Sequence, residues 1–127
     1  MKVFDLTLIV PSDSDYVSFN FFLENMTTWS SLPKEVIFVM TSKSKIKLDH
    51  FNQKFFKQKK IKILFLHHPN LFPGAARNIG IKNASYKIVS FLDIGTHATP
   101  NWLEYGYDQV KNKKFKLSWG NTYYLAT

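Results

Sequence analysis

Short apolar runs rich in β-branched residues alternate with stretches of helical period, and that alternation limits the fold more than any other feature. Asp5–Val10 is the first run, stopped by Pro11. Glu35–Met40, Ile61–Leu66 and Lys87–Leu92 follow, and Leu117–Ala126 reads as a fifth. Continuous apolar runs of this length suit strands buried on both faces. Between the first two, Phe19, Phe22, Leu23, Met26 and Trp29 recur at helical spacing, predicting a helix over Tyr16–Trp29 that Ser30–Pro33 breaks. Leu48, Phe51 and Phe55 predict a second helix running into Lys-rich sequence, which suits a helix C-terminus. A third is expected over Gly74–Ala84. Thr99 as N-cap with Pro100 in the first turn opens a fourth, with Trp102, Leu103 and Val110 inward. Strands alternating with helices imply βαβ units, and right-handed crossovers then place helices on both faces of the sheet. The expected class is α/β: a Rossmann-like three-layer sandwich on a mainly parallel sheet.

Composition narrows the function classes. A chain of 127 residues, 45% hydrophobic, forms one domain with a real core. Zero cysteines exclude a disulfide framework and a thiolate metal site, and fit a cytoplasmic location. No secretory signal follows Met1, and no run is long enough to span a bilayer. The net charge of +8 is read first as a Lys-rich solvated surface, and second as attraction to phosphates of a nucleotide or an anionic membrane surface. The Lys clusters at 43–47, 54–62 and 111–116 make no single stripe, which argues against nucleic acid.

Chemistry concentrates between Pro73 and Trp102. Arg77 lies on a short Ala-rich helix, and Asp93 stands where the next strand runs out. Both fall at the carboxyl end of the sheet, where open α/β folds bind ligands. Arg77 reads either as a phosphate contact or as a structural residue, a plain surface Arg or a bridge to Asp93. Asp93 either caps its turn or meets a hydroxyl, cation or metal. Gly74 is either a turn residue or part of an anion-binding helix start. His67 and His68, adjacent on a strand, point to opposite faces and do not share a metal. His97 is a weak alternative ligand for manganese. Asp13 and Asp15 read as helix caps. Phe19, Phe22, Phe51, Phe55, Phe91 and Trp102 are expected in the core rather than as a stacking platform.

The ordered set Ile9-Val-Pro-Ser12, Leu32-Pro-Lys-Glu-Val-Ile-Phe-Val39, Asn70 with Gly74-Ala-Ala-Arg-Asn-Ile-Gly80, and Phe91-Leu-Asp93 with Pro100-Asn-Trp-Leu103 resembles the N-terminal, nucleotide-sugar-binding half of the family 2 glycosyltransferases, which have the GT-A fold. The resemblance implies that Pro11, Ser12 and Asp13 lie against base and ribose. It places Arg77 near the nucleotide and its phosphates, and Asp93 at the ribose and a divalent metal, Mg²⁺ or Mn²⁺. The acidic motifs are degenerate. Met40 and Thr41 stand where the family has an acid pair, and Asp93-Ile-Gly95 replaces Asp-x-Asp.

The family reaction moves a sugar from a nucleotide-diphosphate donor, of UDP type, to an acceptor hydroxyl. By resemblance the catalytic base lies beyond Thr127. The chain is therefore expected to be a truncated GT-A domain over residues 1–127, lacking the acceptor-binding half and inactive alone. The alternative is a non-catalytic GT-A-fold binding or interaction module. Self-association through Leu117–Ala126 is a further expectation, because an edge strand invites pairing.

Overall fold

The computed structural model describes residues 2–13, 16–42 and 50–112, with the side chains of Tyr16, His50 and Phe51 excepted. Its elements run β1 (Lys2–Ser12), α1 (Tyr16–Thr27), β2 (Ser31–Met40), α2 (His50–Gln58), β3 (Lys62–His67), α3 (Pro73–Asn83), β4 (Val89–Phe91) and α4 (Trp102–Lys111). The strands form one sheet in the order β3-β2-β1-β4, and every neighbouring pair is parallel. The expected α/β class holds. The fifth strand and the pairing expected through it lie outside the described residues.

Side-chain alternation along β1 and β2 builds two cores. Leu8, Val10, Val36, Phe38 and Met40 face one side, where Phe19, Phe22, Leu23 and Met26 of α1, Phe56 of α2, and Leu103 and Tyr107 of α4 close over them. Ile9, Ile37 and Val39 face the other, covered by Ala76 and Ile79 of α3. Each fully buried large apolar side chain contributes roughly 1.5–3 kcal/mol. The face carrying Trp29, Phe19, Phe22 and Phe38 therefore supplies most of the hydrophobic stabilisation.

Several boundaries and faces differ from the sequence reading. β2 begins at Ser31 rather than Glu35, so Pro33 pairs with Phe4 inside a strand. Pairing with β3 starts only at Glu35, so Pro33 occupies a local edge where its missing N–H costs nothing. Pro73, not Gly74, opens α3, its fixed φ suiting the first helical position. Asn101, not Thr99, precedes α4, because the Pro100 carbonyl is held by the Ser30 N–H at 2.8 Å and the Ser30 hydroxyl at 3.0 Å. On α2 the buried anchor is Phe56, with Phe55 only partly covered. Phe91, expected in the core, is 39% exposed at the end of β4.

One close approach fixes α3. A Cβ on Gly80 would collide with Cγ2 of Ile9 on β1. Glycine mid-helix costs about 1 kcal/mol relative to alanine, and here it lets the α3 backbone pack against the Ile9 side chain.

Candidate functional site at the carboxyl ends of the strands

β2 lies on one side of β1 and β4 on the other, so the chain's course reverses direction between β1 and β4. Such a switch point leaves a crevice outside the carboxyl ends of the strands. Backbone hydrogen bonds lace its rim. The Ser12 carbonyl accepts the Thr41 N–H at 2.9 Å, Met40 accepts His68 at 2.9 Å, and Thr41 accepts Asn70 at 3.1 Å. Asn70 has φ of 69°, in the left-handed region that asparagine tolerates best after glycine. Beyond β4 the chain stays beside β1, with the Ile94 N–H on the Pro11 carbonyl at 3.3 Å.

Asn25 on α1 then clamps that segment from the buried side. Its amide donates to the Ala98 carbonyl at 2.9 Å, while its oxygen accepts the Ala98 N–H at 2.8 Å and Trp29 Nε1 at 3.1 Å. The turn carrying Asp93 is thereby tied to both the sheet and α1.

Of the expected site residues, the structure joins Arg77 and Asp93 directly. Arg77 Nη2 donates to Asp93 Oδ1 at 3.0 Å, with side chains 38% and 59% exposed. This is the bridge that was one of the two readings of Arg77. Pro11 and Ser12 are buried at the end of β1, and the Ser12 hydroxyl donates to the Val10 carbonyl at 2.9 Å. Asp13 follows them, exposed at the same end. Gly74 sits within the first turn of α3 with open space at its Cβ position and no positive φ, so it is a helical residue rather than a turn. His67 and His68 are exposed at the end of β3. His97 lines an open hollow of ≈ 220 Å³ with Ser18, Phe21, Phe22 and Ile94–Thr96, on the α1 side of the sheet.

The donor set does not fit a divalent cation. Mg²⁺ and Mn²⁺ want several oxygen ligands, and Gly95 supplies no side chain. Among the described residues no group of three His, Cys, Asp or Glu side chains converges. The carboxylate present already faces a guanidinium. A doubly charged ion about 5 Å from that guanidinium would meet repulsion of about 2 kcal/mol even at the dielectric of water. Met40 is buried in the α1-side core and does not reach the crevice. Thr41 is half-exposed at the rim.

A second carboxylate escaped the sequence reading. Glu35 is 0% exposed and accepts from the Thr7 hydroxyl at 2.8 Å, the Ser85 N–H at 2.8 Å and the Ser85 hydroxyl at 2.7 Å, with Lys62 Nζ at 3.4 Å. Burial alone pushes its carboxyl up, but the Ser85 and Thr7 hydrogen bonds and the Lys62 charge outweigh that and hold it below the ordinary 4.5. It fastens the α3–β4 connection to β2. The one visible hint was an acid opening an apolar strand; nothing in the spacing pointed to Ser85. Asn25 gave no signal beyond being a polar residue among apolar ones.

An all-parallel sheet whose strand order reverses at a switch point defines a Rossmann-like class of α/β fold. The profile of "Glycosyl transferase family 2" matches residues 18–125, and the chain belongs to that family. No curated protein matches the sequence. Solved structures that it resembles include S. aureus TarS 1-349 in complex with UDP, at TM-score 0.63 and 18% identity over 86% of this chain and 32% of that one. TarS 1-349 in complex with UDP-GlcNAc gives 0.62 and 20%, over 86% and 32%. TarS gives 0.61 and 20%, over 87% and 20%. The fold is the GT-A type, and this chain spans about a third of TarS 1-349. Among the described residues no helix is long and apolar enough to cross a membrane.

Proposed function

We propose that residues 1–127 are the nucleotide-sugar-binding part of a glycosyltransferase, taking a nucleotide-diphosphate donor of UDP type in the crevice between the ends of β1 and β4. The observation that carries this reading is the Arg77–Asp93 pair at the switch point of a family 2 chain. Likeness to TarS, crystallised with UDP and UDP-GlcNAc, supports the ligand class. Arg77 keeps donors beyond the one given to Asp93, and they match a phosphate oxygen pair. As the sugar leaves, negative charge grows on the diphosphate, and a guanidinium already in place stabilises it without reorganisation. The rim at Ser12–Asp13 and Thr41 would receive base and ribose. The chain spans about a third of TarS 1-349, and donor binding is the part of the reaction proposed for these residues. A cytoplasmic setting is consistent with the absence of cysteine.

A second reading has a specific observation behind it. Met40 is spent on the core and Gly95 has no side chain, which favours a non-catalytic GT-A module. Calorimetric titration with UDP separates the two. Saturable binding that Arg77→Ala abolishes supports the donor site; no heat at millimolar UDP supports the non-catalytic module.

A further inference from the structure

We infer that this site holds its diphosphate without a divalent cation, Arg77 taking the charge that a metal would otherwise carry. The inference rests on the donor-site reading above and goes further, to how the ligand's charge is met.

Three observations converge on it. Asp93 is the one side-chain carboxylate of the degenerate Asp93-Ile-Gly95 motif, and it faces Arg77 Nη2 at 3.0 Å. A cation seated on the same carboxylate must either displace the guanidinium or sit beside it against like charge. Gly95 has no heavy atom within 4 Å of its Cβ position and no positive φ. Neither space nor backbone conformation therefore demands glycine there, and a second carboxylate fits the fold but is missing from the chemistry. Finally, the pair is open to solvent, so turning the free edge of the guanidinium to a phosphate costs little. Asp93 then acts as a positioning residue, orienting the Arg77 fork through one nitrogen while the others meet the ligand.

The open space at Gly95 supplies the test. UDP is titrated into the full chain in EDTA and in Mn²⁺, for the natural sequence, Arg77→Ala and Gly95→Asp. The natural chain should bind UDP within about twofold in the two conditions. Arg77→Ala should lose about tenfold or more in both, with no rescue by Mn²⁺. Gly95→Asp should bind Mn²⁺ alone, and its UDP affinity should rise about fivefold or more in Mn²⁺. Natural-chain binding that falls about tenfold in EDTA would overturn the inference and leave the donor-site reading standing. Rescue of Arg77→Ala by Mn²⁺ would overturn it too. A Gly95→Asp chain that ignores Mn²⁺ would overturn the assignment of the missing ligand to that position. A natural chain that binds no UDP in either condition would remove both readings together.

Discussion

Two carboxylates sit on opposite sides of one design choice. Glu35 on β2 is sealed between β1, β3 and the α3–β4 connection, with three hydrogen-bond donors and a lysine upon it. Asp93 stands at the open end of the sheet with one arginine and more than half its side chain in solvent. The same functional group is a buried fastening in one place and a solvent-exposed partner of Arg77 in the other. Enclosure makes the difference, because a buried acceptor must have every partner satisfied while an exposed one keeps water as an alternative.

That contrast gives effects of different size. Glu35→Ala strands the Thr7 hydroxyl and two Ser85 donors, and should cost about 3 kcal/mol in urea unfolding. A loss under about 1 kcal/mol would mean that water replaces the carboxylate and the enclosure is not real. The same group sets a pH dependence. Its folded pKa lies below the unfolded value, so its contribution is complete above the ordinary 4.5 and fades as pH falls through the folded value. Glu35→Gln should flatten the acid limb of stability against pH, and an unchanged slope would assign that limb to other groups.

Asn25→Ala should come next, at about 2 kcal/mol, since Ala98 and Trp29 lose their partners at once. It should also weaken UDP binding by loosening the turn below Asp93. Gly80→Ala forces α3 away from Ile9 and should cost about 1–2 kcal/mol. Because α3 carries Arg77, its UDP affinity should fall as well; unaltered stability would show that the helix shifts freely. Asp93→Asn should change stability by no more than about 0.5 kcal/mol, since it breaks one solvent-exposed pair. A large loss there would erase the distinction between the two carboxylates.

The parallel sheet was legible because β1 and β2 are apolar on both faces, and the open end because Asp93 follows an apolar strand. Arg77 meeting Asp93 was legible as one of two readings, because helix and strand adjoin in sequence. Glu35 was not, because its partner Ser85 lies 50 residues away and no periodicity links them. The start of β2 was missed since Pro33 reads as a breaker, and only the absence of a β3 neighbour at that level makes it harmless. Phe91 was misjudged because an aromatic in an apolar run carries no sign that it will be the last residue of the outermost strand of the described sheet.

Backbone amide chemical shifts during a UDP titration test the central contrast most directly. Perturbations are predicted at Ser12–Asp13, Thr41, Gly74–Asn78 and Asp93–Gly95, with Glu35 and Ser85 still. Shifts centred on Glu35 and Ser85, or none at the strands' carboxyl ends at saturating nucleotide, would contradict it.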